Sequence, residues 1–358
     1  MLRPKPGLAA IQDYQAGRSS ELVKEQLGLT TATGLASNEI SEGPLPGVAE
    51  LLAEHLGNIH RYPEVRSATL ARAIAAKHSI DVSRVAVGPG SAGLLFQFSH
   101  AFMTPSSTLV VPTPTFDGYP LAAAVADATY VPVPLRNHQV DVEAVMSAVS
   151  PETGAIVLAE PNNPTGTALG REPIEWLIEQ TAGRCFLILD EAYFEFNSHP
   201  DRVNGIEVAS AQPHVVVLRT FSKAYGLAGM RVGYAVGDAE VCSYLNRVAP
   251  PFSVNALAQK AALASLDLVD ELNSRICRVV AERQRLVEAL RGVGLKVPDP
   301  YGNFIFIDIA DPESLASQLE QRGVVTRPIS GHGLRVTIGM AAENDRFLGA
   351  IRSIFDPR

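Results

Sequence analysis

Cysteine is scarce. Cys185, Cys242 and Cys277 are the three in the chain, odd in number and widely spaced. That pattern offers neither a disulfide framework nor a cysteine-built metal site. Reduced thiols in a cytoplasmic protein are the simplest account. Basic charge is short as well: 30 Lys and Arg stand against 38 Asp and Glu, a net charge of −8. No Lys/Arg run offsets it, which disfavours a nucleic-acid surface. Also missing is any uncharged apolar run of the roughly 20 residues a bilayer span needs. The N-terminal Met-Leu-Arg-Pro-Lys-Pro-Gly lacks the apolar core of a signal peptide. Internal repeats, heptads and low-complexity tracts are absent. A soluble cytoplasmic protein is therefore expected, without nucleic-acid or membrane partners.

With 358 residues the chain exceeds one average domain, and 46% hydrophobic residues can build a large core. Short apolar runs end abruptly in polar or glycine-rich residues: Arg84–Gly88, Thr108–Pro112, Ala155–Ala159, Phe186–Asp190, Val215–Thr220 and Val232–Gly237. Continuous runs separated by helix-length segments predict strands buried on both faces of a mostly parallel sheet. Ligands on such sheets bind beyond the carboxyl ends of the strands. Asp267–Gly292 predicts one long helix, with Arg283 interrupting its apolar spacing. It leads into a smaller α+β region, where Asn303–Ile309 and Leu334–Ile338 alternate like strands and Ser314–Arg322 and Glu343–Phe355 read as helices. The expected fold class is α/β, a mostly parallel central sheet flanked by helices, with a smaller α+β domain. The expected division is an N-terminal segment (1–34) against the small domain or the site mouth, a large domain (35–245) and a small domain (246–358).

Several polar residues after these runs carry chemistry. In Leu218–Tyr234, Thr220 and Ser222 precede Lys223, and Arg231 follows eight residues later. Hydroxyls and a guanidinium can hold a phosphate while the amine binds an aldehyde covalently; a surface lysine beside a glycine turn would look the same. Val87-Gly88-Pro89-Gly90-Ser91-Ala92-Gly93 follows a strand and opens an apolar helix, the setting of an anion site made of backbone N–H groups or of a tight packing turn. Pro161-Asn162-Asn163-Pro164-Thr165-Gly166 is a turn at a strand end. Asp190 emerges from a buried strand, where a carboxylate needs a cation or strong donors, or caps the next element.

Together these segments resemble fold-type I pyridoxal-phosphate aminotransferases of the histidinol-phosphate and aromatic amino-acid branch, collinearly from about Leu35 to Gly339. The wording of 190–196, 221–230 and 251–255, and Gly90-Ser91 without following acids, is similar to actinobacterial aromatic aminotransferases in particular. The resemblance implies that pyridoxal 5'-phosphate is bound on Lys223. Its phosphate would lie on Thr220, Ser222, Arg231 and the N–H groups of Ser91, Ala92 and Gly93. Many relatives carry an acidic pair at Ala92-Gly93, a change that spares backbone contacts. Asp190 would hold the ring nitrogen protonated, Asn163 and Tyr193 would bond the phenolic oxygen, and Phe116 would stack on the ring. Tyr62, in Arg61-Tyr62-Pro63, would reach the phosphate of a neighbouring subunit, making the protein a homodimer. Arg335 would grip the substrate α-carboxylate, with Arg327, Asn38 and Tyr14 beside the substrate. Glu160 stands where relatives usually have Asn or Ser.

The implied reaction takes an amino acid and a 2-oxo acid, with 2-oxoglutarate the expected amino acceptor. Lys223 acts as general base at the substrate Cα once released, and Asp190 and Tyr193 complete the catalytic set. Aromatic amino acids are favoured over histidinol phosphate, because the same arginine pair serves both branches and the wording leans to the aromatic one. A decarboxylase on the same fold shares the lysine and aspartate and would release carbon dioxide without consuming an oxo acid. No metal is expected.

Overall fold

The structure is a computed structural model and describes residues 5–9, 11 and 17–355. Its centre is a seven-stranded sheet of β1 (Val85–Gly88), β2 (Thr108–Thr113), β3 (Thr129–Pro134), β4 (Thr153–Ala159), β5 (Phe186–Asp190), β6 (Val215–Thr220) and β7 (Gly233–Val236). They lie in the order β1-β7-β6-β5-β4-β2-β3. The pairs β2–β3, β2–β4, β4–β5 and β5–β6 are parallel, whereas β7 runs against both its neighbours. The apolar runs are continuous because both sheet faces are covered. Along β4, Ala155, Val157 and Ala159 enter one core and Ile156 and Leu158 the other, the two-residue period of a pleated strand. The six anticipated runs all form strands. β3 is the seventh, and its half-buried Tyr130 and Val131 at the sheet edge give no continuous apolar signal.

A second, antiparallel sheet holds β8 (Phe304–Ile307), β9 (Arg327–Ile329) and β10 (Gly333–Thr337), ordered β9-β10-β8. Helix Pro312–Glu320 packs on it, and helix Ala341–Phe355 packs on that helix. The expected long helix forms as Val269–Gly292, starting two residues later than the sequence predicts. Ala256–Asp267 and Val269–Gly292 are separate helices, because Leu268 (φ −89°, ψ 57°) leaves helical geometry between them. Residues 33–38 are bound to the smaller region. Thr33–Gly34 pairs with Val324–Val325, Thr337 N–H donates to Leu35 O, and Asn303 Nδ2 to Asn38 O.

Arg283, the polar interruption in the second helix, is a staple. Buried there, its guanidinium donates to Phe196 O (3.0 Å), Gly302 O (2.8 Å) and Ser198 Oγ (2.7 Å). Desolvation pulls its pKa down to about 10, so it remains a cation at neutral pH. It ties the long helix to the loop after β5 and to the approach to β8. Arg283→Met fills the space but orphans two buried carbonyls, each of which costs on the order of 1–3 kcal/mol. We expect a clear fall in the urea midpoint of the cofactor-free protein; an unchanged midpoint would remove the staple role.

Candidate active site

The parallel strands bring their carboxyl ends to one edge. β1 leads into helix Gly90–Phe102, β2 toward Phe116, β4 to Asn163 and β6 to Ser222 and Lys223, while β5 ends on Asp190. Because β7 is reversed, the residues before it return to the same edge, and Arg231 is among them. These ends wall a cavity of about 860 Å3. Tyr14 lies outside the described residues; of the other site residues singled out above, all but Tyr62 and Gly93 line the cavity.

One end is built for an anion. Ser91 and Ala92 lie in the first turn of helix Gly90–Phe102, where backbone N–H groups have no carbonyl partner within the helix. Facing them, Thr220 Oγ1 lies 3.0 Å from Ser222 Oγ, which accepts from Arg231 Nη1 at 3.2 Å. Glycine is required at two places. A Cβ on Gly90 would sit 2.8 Å from Arg231 Nη2, and one on Gly233 would sit 2.8 Å from Ser91 N. Arg231 itself is left-handed (φ 54°), an uncommon conformation for a side-chain-bearing residue. At Gly93 the same space is filled by Pro89, whose Cγ would lie 2.6 Å from an added Cβ.

The other end carries a buried acid. Asp190 accepts the Tyr119 hydroxyl at 3.1 Å and the Ala192 N–H at 3.2 Å. Burial pushes its carboxyl up from 3.8 to about 6, these donors and the Lys223 charge opposing the rise and Glu191 adding to it. A carboxylate so placed favours a cationic partner. Between the ends, Lys223 Nζ donates to Ser37 O at 3.2 Å and lies 5.7 Å from the Tyr193 ring centre. Desolvation, then the Arg335 charge, brings its amine down to about 8; Glu39 and Asp190 pull the other way and Arg231 adds to the fall. Asn38 Nδ2 donates to Tyr193 Oη at 3.1 Å. Phe116 packs edge-on against Tyr119 with ring centres 5.5 Å apart.

Arg327 and Arg335 are Cα partners across β9 and β10, so both side chains project from one face of that sheet. Arg335 reaches inward, donating to Asn163 Oδ1 (2.6 Å) and to Ala36 O. Arg327 stays at the mouth and pairs with Asp117 at 3.2 Å. Tyr62 is turned away from its own chain's cavity: it is 82% exposed and stacks on Phe252 at 4.5 Å.

Sequence reasoning missed the residues that hold these groups. Tyr119 stood in the Phe116 segment, but only the start of helix Gly118–Val125 turns it toward Asp190. Ser37 and Ala36 contribute carbonyls, which no side-chain pattern reveals. Glu160 acquires an account: both its carboxylate oxygens accept the Leu169 N–H (3.0 and 3.1 Å), closing the loop that carries Asn163. Burial drives its pKa well above the usual range. Glu191 turns away from the site to Arg219 Nε (2.8 Å), and that guanidinium lies over the Phe194 ring at 3.7 Å. Among the described residues no group of three or more His, Cys, Asp or Glu could hold a metal ion, and no helix is long and apolar enough to cross a membrane.

Residues 30–351 match the family described as aminotransferase class I and II. An aromatic amino acid aminotransferase of Nocardia farcinica is 41% identical over 351 residues, 97% of this chain and 96% of the relative. One of Rhodococcus jostii is 42% identical over 319 residues, 88% of each chain. Among solved structures, histidinol-phosphate aminotransferase from Sinorhizobium meliloti in complex with pyridoxal-5'-phosphate superposes with a TM-score of 0.89, covering 99% of both chains at 25% identity. By this agreement of site, sequence and fold, the chain belongs to the aminotransferase class I and II family.

Proposed function

We propose that this protein transfers the amino group of aromatic amino acids to 2-oxoglutarate, using pyridoxal 5'-phosphate, as a cytoplasmic homodimer. The observation that carries the reading is the single cavity with an anion cradle at one end, a buried carboxylate at the other and a near-neutral lysine between. The donor set fits the cofactor: Thr220, Ser222, Arg231 and the helix N–H groups suit its phosphate, and Asp190 suits a protonated ring nitrogen. When bound, pyridoxal phosphate supplies an aldehyde for the amine and a ring that accepts electrons from the substrate carbon. We read residues 35–245 as the large domain, 246–358 as the small one and 1–34 as an N-terminal segment against the small domain or the site mouth.

The protein's own groups divide the remaining work. Lys223 Nζ, with a pKa of about 8, is close enough to neutrality to take the α-proton of the substrate and then to release it to the carbon of the bound cofactor. Asp190, ionised above about 6, holds a proton on the ring nitrogen through a charge-assisted hydrogen bond. Asn163 has its amide oxygen on Arg335, which leaves the amide nitrogen as its donor toward the phenolic oxygen, beside the Tyr193 hydroxyl. Phe116 supports the ring face. Arg335 suits a carboxylate, and its bond to Ala36 O orients the guanidinium for that role.

The aromatic preference is supported by relatives of that name at 38–42% identity and by Leu121, Tyr130 and Ile329 at the mouth. Arg327 and His332 in the same wall favour a second reading, histidinol phosphate. Purified protein with pyridoxal phosphate and 2-oxoglutarate should give a higher kcat/KM for phenylalanine or tyrosine than for histidinol phosphate. The reverse order would replace the substrate and leave the chemistry.

Homodimerisation is supported by the Leu56–Val65 segment, which exposes Leu56, Ile59, Tyr62 and Val65, more apolar surface than a short stretch of a monomer normally shows. If Tyr62 serves the neighbouring site, Lys223→Ala and Tyr62→Ala subunits complement each other. Each variant alone should be nearly inactive. Refolding them together should restore roughly a quarter of wild-type activity, since half of randomly paired dimers carry one intact site. No recovery on mixing would mean that Tyr62 acts within its own chain or not at all.

Asp190 also gives a stability prediction. Its folded pKa, about 6, exceeds the ordinary 3.8, so the folded state binds its proton more tightly. Stability is therefore lost as pH rises through that window, and the loss is complete above about 6. In the cofactor-free protein, Asp190→Asn should raise the Tm more at pH 8 than at pH 5. Added pyridoxal phosphate should shrink or reverse that gain. A cofactor-free variant less stable than wild type at pH 8 would contradict the assignment.

A further inference from the structure

We infer that Arg219, through its ion pair with Glu191 behind the central sheet, is a positioning residue. The pair fixes the separation between Asp190 and the turn that carries Thr220, Ser222 and Lys223. The inference rests on the cofactor reading above and deepens it. On that reading one rigid molecule meets Asp190 with its ring nitrogen and the turn with its phosphate and aldehyde. The two sides of that span belong to different strands, Asp190 to β5 and the turn to the end of β6.

The last register pair between these strands is Asp190 with Leu218, and the Glu191 N–H donates to Leu218 O at 2.9 Å. Beyond it, Arg219 and Thr220 pair with β7 alone, while the chain after β5 enters the turn Phe194–Phe196. Side chains cross where the ladder stops. Leu189 and Val217 lie in one core and Ile188 and Leu218 in the other. The same two-residue period carries Glu191 and Arg219 to the first face and Asp190 and Thr220 to the second. On that first face Arg219 Nε and Nη2 both reach Glu191 Oε2, at 2.8 and 2.7 Å, and both side chains are buried. Nη2 also donates to Asn204 Oδ1 at 2.9 Å, and Glu191 Oε1 accepts the Gly205 N–H at 2.7 Å. A Cβ on Gly205 would lie 2.5 Å from that oxygen, so the carboxylate is wedged against backbone. The guanidinium covers the Phe194 ring at 3.7 Å as well. Arg219 thus precedes Thr220 in sequence and touches the residues that follow Asp190 and Tyr193. Desolvation cancels much of the attraction within a buried ion pair, so net stability accounts poorly for this one. A fixed spacing accounts for it better.

The test conserves charge. Arg219→Lys removes the fork and Glu191→Asp shortens the pair by one methylene, and neither alters the net charge behind the site. Binding of pyridoxal phosphate to the cofactor-free, full-length proteins is compared with binding of an analogue in which a C–H replaces the ring nitrogen. The phosphate and aldehyde are common to both compounds, so the ratio of their Kd values, analogue over cofactor, isolates the contact at Asp190. In the wild type that ratio should be on the order of ten to a hundred, the worth of a charge-assisted hydrogen bond. Each variant should lower it by about fivefold or more, since a displacement of about 1 Å can cost more than that. In an Asp190→Asn background Arg219→Lys should leave the ratio unchanged, because the contact it positions is already gone. General damage to the fold would weaken both compounds alike and spare the ratio. A wild-type ratio in a folded Arg219→Lys or Glu191→Asp protein therefore overturns the inference, as does an equal fall in the Asp190→Asn background. A wild-type ratio near one, or one that Asp190→Asn does not lower, refutes instead the parent assignment of Asp190 to the ring nitrogen, and the inference falls with it.

Discussion

A carboxylate at the end of a buried strand, held by one phenol and one amide N–H, sets the conditions for the rest of the site. Asp190 is desolvated, and its donors do not cancel the penalty. The cavity above it therefore favours positive charge, while the far end, with its helix N-terminus and Arg231, favours negative charge. A ligand with the two charges arranged the other way round would meet repulsion at both ends. Lys223 lies in the field of both, Asp190 raising its amine pKa and Arg231 lowering it, while burial first and then the Arg335 charge bring it down to about 8.

Around this centre the polar interior works as support. Buried Arg219 and Glu191 pair behind β5 and β6 with half-buried Phe194 under the guanidinium, and Glu191 also accepts the Gly205 N–H at 2.7 Å. Arg283 performs a similar service with neutral carbonyls. Glu160 closes the loop that presents Asn163. Such groups are expensive to bury unless satisfied, and each lies beside an irregular connection that must hold a site residue still.

Much of the architecture could be read in the sequence because a sheet covered on both faces writes itself as uninterrupted apolar runs. The chemical residues follow those runs directly, so Asn163, Asp190, Thr220 and Lys223 were visible as polar groups at strand ends. β3 was not, since an edge strand is only half covered. The carbonyls of Ser37 and Ala36 and the pairing of Arg327 with Asp117 depend on chain segments hundreds of residues apart meeting at one point. Local pattern carries no trace of such meetings.

The reversed strand β7 has a further consequence. Because it pairs with β6, Thr220 lies opposite Gly233, and the chain between them is a closed hairpin rather than a crossover. Lys223 and Arg231 both lie on that hairpin, so the reactive amine and the guanidinium at the anion end are tethered by one short length of backbone. An insertion or deletion in residues 221–232 would change the span between the two groups, however well the rest of the sheet tolerated it. Surface loops can usually drift in length; this connection acts as a measured spacer, its length matched to the molecule it grips.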